Sequence, residues 1–172
     1  FDETKDSIVD NMRAFGWDLE RLEKESRVII VEYSPQQLMK ILTDGGGLLD
    51  NLMSKYGARR IVVDSVSTFL MLNSTEFGRR ELLMSFFRML SKWDVTTVMI
   101  NEQTPISGDE IGKATIPVNF ECDSIVQLYY THHDLAKSRI RYIEVFKMRG
   151  TNHVTKAIPF KIDSRGIDIQ LS

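Results

Sequence analysis

The sequence holds one cysteine, Cys122, in 172 residues, which excludes an internal disulfide and suits a reducing compartment. It has no strong excess of either charge: 22 Lys and Arg against 24 Asp and Glu leave −2. Composition therefore gives no support for a nucleic-acid partner, although a local basic patch stays open. No apolar run reaches membrane-spanning length and no secretory signal pattern is present, so no membrane partner is expected and a cytoplasmic protein is. The chain opens Phe1-Asp2-Glu3-Thr4 without an initiator Met, which reads as a fragment or processed form. No internal repeat or low-complexity segment is evident. What is present is ordinary for a globular domain: 42% hydrophobic and 27% charged residues, with length for one domain and one core.

Along the chain, residues 4–14 place Ile8, Met12 and Phe15 at helical spacing, with Thr4 as N-cap and Gly16 as the stop. Residues 28–32 are a short β-branched run and predict a buried strand. Ser34-Pro35 reads as N-cap plus first helical position. Helical patterning then runs to about Tyr56 in two pieces, broken by Gly45-Gly46-Gly47, a loop rather than a phosphate cradle. Residues 60–64 predict a second buried strand. Residues 76–93 predict a long helix with Leu82, Phe86, Met89 and Leu90 on one side, and 95–100 a third strand. Residues 103–118 carry Pro105, Gly108, Gly112 and Pro117 and read as a long loop. The tail, with runs at 124–130, 140–147, 156–162 and 167–171, leaves no room for helices. Helices alternating with strands predict a parallel, helix-covered α/β sheet, and the tail predicts antiparallel strands added at one edge.

The strand Arg60-Ile61-Val62-Val63 ends in Asp64. In phosphate-loop NTPases an acid in that position holds Mg²⁺, because ligands of open α/β sheets gather at the carboxyl ends of the strands. A strand-end Asp that merely caps a turn fits the residues equally well. The pattern G-x-x-x-x-G-K-[ST], which supplies backbone N–H groups, a phosphate lysine and a Mg²⁺ hydroxyl, is absent. The one Gly-Lys pair is Gly112-Lys113-Ala114, with Ala where Ser or Thr is needed and no strand before it.

The order and spacing of Asp64-Ser65-Val66-Ser67, Arg79-Arg80-Glu81-Leu82 and Thr96-Thr97-Val98-Met99 resemble the KaiC family of RecA-superfamily ATPases. So do Lys147-Met148-Arg149-Gly150-Thr151-Asn152-His153, Pro159-Phe160 and Gly166-Ile167, together with the opening Phe1-Asp2-Glu3 and Phe15-Gly16-Trp17-Asp18. The resemblance spans nearly the whole chain. It implies a single domain over 1–172 with a RecA-like phosphate-loop NTPase fold, its first strand and phosphate loop falling in roughly 50 residues upstream of Phe1.

The resemblance also implies the site. Asp2 and Glu3 match paired catalytic carboxylates that orient or deprotonate the attacking water; Asp at the first position is one methylene shorter, which shifts weight to Glu3. Asp64 matches the Mg²⁺ acid. Asn101 and Glu102, at the end of the third strand, match polar residues that sense the phosphates, and a plain strand-end pair fits as well. Lys147 and Arg149 match basic residues that reach the γ-phosphate of ATP on the neighbouring subunit. Strand alternation would put them on one face, with Met148 opposite and Arg141, six residues before Lys147, on their own face. Met148, Thr151 and His153 match further nucleotide contacts, though a structural histidine would look the same. Arg141 and Phe120 match positions on the adenine side; Phe120 would serve equally in a core. Self-phosphorylating family members use adjacent Ser and Thr where this chain has Asn119-Phe120, so hydrolysis is the better expectation.

Three functions follow from the resemblance. The first is an ATPase working with ATP and Mg²⁺ at the subunit interfaces of a homo-oligomeric ring, a hexamer, in a signalling or regulatory role with protein partners, the fragment alone being inactive. The second is a non-hydrolysing, nucleotide-dependent interaction module, favoured by the Asp at position 2. The third is a RecA-like recombinase. DNA is disfavoured because the loop at 103–118 carries Lys113 against Asp109 and Glu110.

Overall fold

The computed structural model describes residues 3–102, 121–133 and 138–170. Its elements run α1 (Lys5–Ala14), α2 (Leu19–Lys24), α3 (Pro35–Thr43), α4 (Gly47–Tyr56), β1 (Arg60–Val63), α5 (Val66–Leu70), α6 (Glu76–Ser91), β2 (Thr96–Met99), β3 (Ser124–His133), β4 (Ser138–Met148), β5 (Ile158–Asp163) and β6 (Gly166–Ile169). The chain divides into two compact units, one carrying nearly all of the helical region with β1 and β2, the other carrying β3–β6.

The helix starts follow local chemistry. The carbonyl of Thr4 accepts from the Ile8 N–H (3.1 Å) and its Oγ1 from the Ser7 N–H (3.3 Å). Ser34 closes a capping box with Gln37, and Pro35 sits where its missing N–H is not needed. Gly45 and Gly46 both take φ +84°, a left-handed conformation, and this splits α3 from α4 as expected. Thr75 caps α6 through the Gly78 N–H, and a Cβ at Gly78 would collide with the Asn73 amide.

In the first unit β1 and β2 pair in parallel, with Val62 opposite Val98. The core beside them is built from α3, α5 and α6, with Phe69, Leu83 and Phe86 buried and the Phe69 and Phe86 rings 5.8 Å apart. All four apolar residues expected on one side of α6 are buried there. Two expectations fail. Residues 28–32 form no strand: the Val28 N–H goes to the Leu22 carbonyl (3.3 Å) and the Ile30 N–H to the Glu23 carboxylate (3.3 Å), not into a ladder. Ile29 and Val31 instead line an apolar cavity of about 240 Å³ with Ile61, Val63, Leu38 and Met89, so the run finds apolar company without pairing. The strand at Arg60 is also only half-buried, since Val62 is 67% and Val98 55% exposed on one face of the pair.

The second unit is an antiparallel meander in the order β3-β4-β5-β6, as the helix-free tail predicted. Among the described residues it is hydrogen-bonded as a four-stranded sheet, and the parallel pair as a two-stranded one. Opposite residues in the register put Val126, Leu128 and Tyr130 of β3 on one face with Val145, Ile143 and Arg141 of β4. Gln127 and Tyr129 share the other face with Glu144 and Tyr142. Near one end the register slips: Val126 faces Val145, but Ile125 faces Lys147, leaving Phe146 as the extra residue of a β-bulge.

Candidate functional site

The first group of candidates gathers at the carboxyl ends of β1 and β2. Asp64 directly follows β1 and is exposed; its peptide bond to Ser65 is cis. Ser65 is fully buried, its hydroxyl 2.9 Å from Ser67 Oγ and 3.2 Å from Thr68 Oγ1. The two strand ends are then tied together. The Ile100 N–H donates to the Val63 carbonyl (2.9 Å), the Val66 N–H to the Ile100 carbonyl (2.8 Å), and the Glu102 N–H to Ser67 Oγ (3.1 Å). Asp64, Asn101 and Glu102 therefore share one end of the parallel pair, beside the buried Ser65 hydroxyl and the half-buried hydroxyls of Ser67 and Thr68. Sequence reasoning missed Ser65 and Ser67 as parts of this cluster, although both lie in the quoted stretch 64–67.

Among the described residues no group of three or more His, Cys, Asp or Glu is arranged to hold a metal. A lone Asp is compatible with Mg²⁺, which is bound through one or two carboxylates with the rest supplied by water and substrate phosphates. Glu3 is exposed and precedes α1. Asp2, Phe120, Asn119 and the loop 103–118 lie outside the described residues.

The second group lies at the end of β4. Lys147 and Met148 close the strand, and Arg149-Gly150 form a turn with Gly150 at φ +65°. The Arg149 N–H donates to the Asp123 carbonyl (2.8 Å), its guanidinium meets the Asp123 carboxylate (3.4 Å), and Ser124 Oγ donates to the Lys147 carbonyl (3.2 Å). Thr151 is exposed, and its carbonyl lies 3.1 Å from His153 Nδ1, a contact that puts the ring proton on Nδ1. Burial pushes the Cys122 thiol up, against the lowering influence of Lys147 and Arg149, so the lone cysteine is not an activated thiolate.

The bulge overturns one geometric expectation. Lys147 shares the face of Ile125, while Arg141 shares the face of Tyr130, five residues on, so Arg141 and Lys147 are on opposite faces of the hairpin. The extra residue Phe146 reverses the alternation that a regular strand would carry through. Arg141 instead stacks its guanidinium over the Tyr130 ring, 4.7 Å from the centroid. Arg149 lies beyond the strand, in the turn, where its guanidinium meets the Asp123 carboxylate. No residue of the sequence marked either the bulge or Asp123 in advance.

The fold is α/β and RecA-like, with helices beside a parallel strand pair and an antiparallel tail. The chain belongs to the KaiC ATPase family, whose sequence model matches residues 1–172. It is 34% identical over 176 residues to the circadian clock oscillator protein KaiC of Synechococcus elongatus and 32% identical over 178 residues to that of Acaryochloris marina. Each of these matches covers 98% of this chain, which spans 33% of the length of these relatives. Among solved structures it is similar to a KaiC-like protein from Pyrococcus horikoshii OT3, with a TM-score of 0.77 and 26% identity, over 99% of this chain and 72% of that one. Among the described residues no helix is long and apolar enough to cross a membrane.

Proposed function

We propose that this chain is the catalytic and neighbour-facing part of a cytoplasmic ATPase that binds Mg·ATP between subunits of a homo-oligomeric ring, a hexamer, and hydrolyses it in a signalling or regulatory role. The observation that carries the reading is the meeting of Asp64, Asn101 and Glu102 at the carboxyl ends of two parallel strands in a KaiC-family chain. Asp64 would hold Mg²⁺, which supplies charge neutralisation on the phosphates. Asn101 and Glu102 sense the phosphates, and Asp2 and Glu3 orient the attacking water. Lys147 and Arg149 stabilise charge on the phosphoryl oxygens of the nucleotide held by the next subunit. Met148, Thr151 and His153 add contacts on that side. Arg141, on the hairpin face opposite Lys147, serves the adenine side, to which Phe120 also matches.

The second reading, a nucleotide-dependent assembly module that does not hydrolyse, is favoured by the short acid at residue 2. Single-turnover hydrolysis by the full-length protein and by its Arg149→Ala variant separates the two. The ATPase reading expects turnover in the first and a loss of at least about 100-fold in the second, with nucleotide still bound. Undetectable hydrolysis by the wild type points to the assembly module. Equal turnover in both removes the role of Arg149.

A further inference from the structure

We propose that Asp123 is a positioning residue for Arg149, holding the guanidinium for its contact with phosphate; this rests on the reading of Arg149 given above. Three contacts bind residues 123 and 124 to residues 147–149. The Asp123 carbonyl accepts from the Arg149 N–H (2.8 Å), the Asp123 carboxylate meets Arg149 Nη1 (3.4 Å), and Ser124 Oγ donates to the Lys147 carbonyl (3.2 Å). They lie next to the bulge that turns Lys147 to the face opposite Arg141. The two backbone contacts fix where the Arg149 side chain starts. The carboxylate acts at its far end.

Arg149 sits in a turn after the strand and its side chain is 52% exposed, so the Asp123 carboxylate meets it where solvent and an incoming phosphate also reach. Asp123 is 91% exposed, so the pair is a surface ion pair that adds little to fold stability. Its value is geometric. The guanidinium has five N–H groups in a rigid fork, so a contact through Nη1 is compatible with a two-pronged contact to a phosphoryl group. Asn at 123 keeps the backbone contact and the shape and removes the charge.

The test compares the full-length wild type with the Asp123→Asn, Asp123→Glu, Arg149→Ala and Asp123→Asn/Arg149→Ala variants. Asp123→Asn is expected to lower kcat about fivefold with KM nearly unchanged, the scale of one charge-assisted contact at a surface. Asp123→Glu should recover most of that loss, and the double variant should match Arg149→Ala, because Asp123 acts through Arg149. A second readout needs no nucleotide: modification of Arg149 by an arginine-specific dicarbonyl, followed by mass spectrometry, should run faster in Asp123→Asn. Unchanged kcat and unchanged reactivity in Asp123→Asn would overturn the proposal. So would a gain in turnover, which would make the carboxylate a competitor of phosphate, or a loss that persists in full without Arg149. An impaired Arg149→Ala beside an unimpaired Asp123→Asn removes only the positioning role. Wild-type turnover in Arg149→Ala removes the reading of Arg149 itself.

Discussion

At the ends of β1 and β2 the polar groups are anchored inward. Ser65 is fully buried with its hydroxyl among those of Ser67 and Thr68, and the Glu102 N–H reaches into the same cluster. At the end of β4 the anchoring is done at the surface, by Asp123 and Ser124 on exposed or half-exposed partners. Buried hydroxyls that are satisfied cannot move without leaving an unpaired polar group in a dry place, so they fix a geometry. Exposed ion pairs can exchange partners at little cost, so they suit groups whose ligand arrives from outside. The first region is built to hold a position, and the second to present one.

The largest test of this contrast is in the core under the first region. Phe69 is fully buried in α5, directly after the hydroxyl cluster, and packs on Phe86. Phe69→Ala is expected to destabilise this unit by about 3–5 kcal/mol, through lost apolar burial and a cavity. Phe146→Ala, at the exposed bulge of the second region, should stay within about 1 kcal/mol. Hydrogen exchange in the full-length protein reads each unit separately. Equal effects at the two sites would erase the distinction.

A finer comparison uses one substitution twice. Ser65→Ala removes a fully buried hydroxyl from its contacts with the half-buried hydroxyls of Ser67 and Thr68 and should cost about 1–2 kcal/mol. Ser124→Ala removes an exposed hydroxyl from the Lys147 carbonyl, which water can then solvate, and should fall within about 0.5 kcal/mol. Denaturant midpoints of the two variants check the ordering. A Ser124→Ala loss as large as that of Ser65→Ala would mean that the β4 end is as rigidly built as the other.

What could be read from residues alone followed the range of the forces involved. The helix starts at Ser34-Pro35 and Glu76, the break at Gly45-Gly46 and the buried side of α6 depend on neighbours within a turn or two, and their signals are local. The strand-rich tail was legible because four apolar runs with short gaps leave no alternative. The run at 28–32 misled because a β-branched stretch says only that side chains seek apolar company. Whether its backbone pairs depends on a partner strand far along the chain. The opposite faces of Arg141 and Lys147 were illegible for a related reason. A bulge is a property of two strands in register, and one residue of slip reverses the face of everything beyond it. Asp64, Asn101 and Glu102 could be brought together on paper from strand ends. Asp123 could not, since its relevance lies in a contact across the hairpin.

The smallest effect concerns the hairpin face that Lys147 shares. Tyr129 and Tyr142 stack there with centroids 5.8 Å apart, and the Tyr129 hydroxyl donates to Glu144 Oε2 at 3.2 Å. Burial raises the Tyr129 hydroxyl above its ordinary value near 10, and the charge of Glu144 and the hydrogen bond to it raise it further. A folded-state value above the unfolded one means the folded protein keeps this proton more tightly. The associated stability is present below about pH 10 and lost as the pH climbs through the folded value. Glu144→Gln removes the charge, keeps an acceptor and leaves the burial, so Tyr129 should titrate at a lower pH than in the wild type and still above an ordinary tyrosine. Phenolate absorbance followed through an alkaline titration, with Tyr129→Phe to assign the signal, measures the shift. If Glu144→Gln leaves that titration in place, burial and the neighbouring Tyr142 set it, and this face of the second region is closer in kind to the cluster around Ser65 than the exposed pair at Arg149 implies.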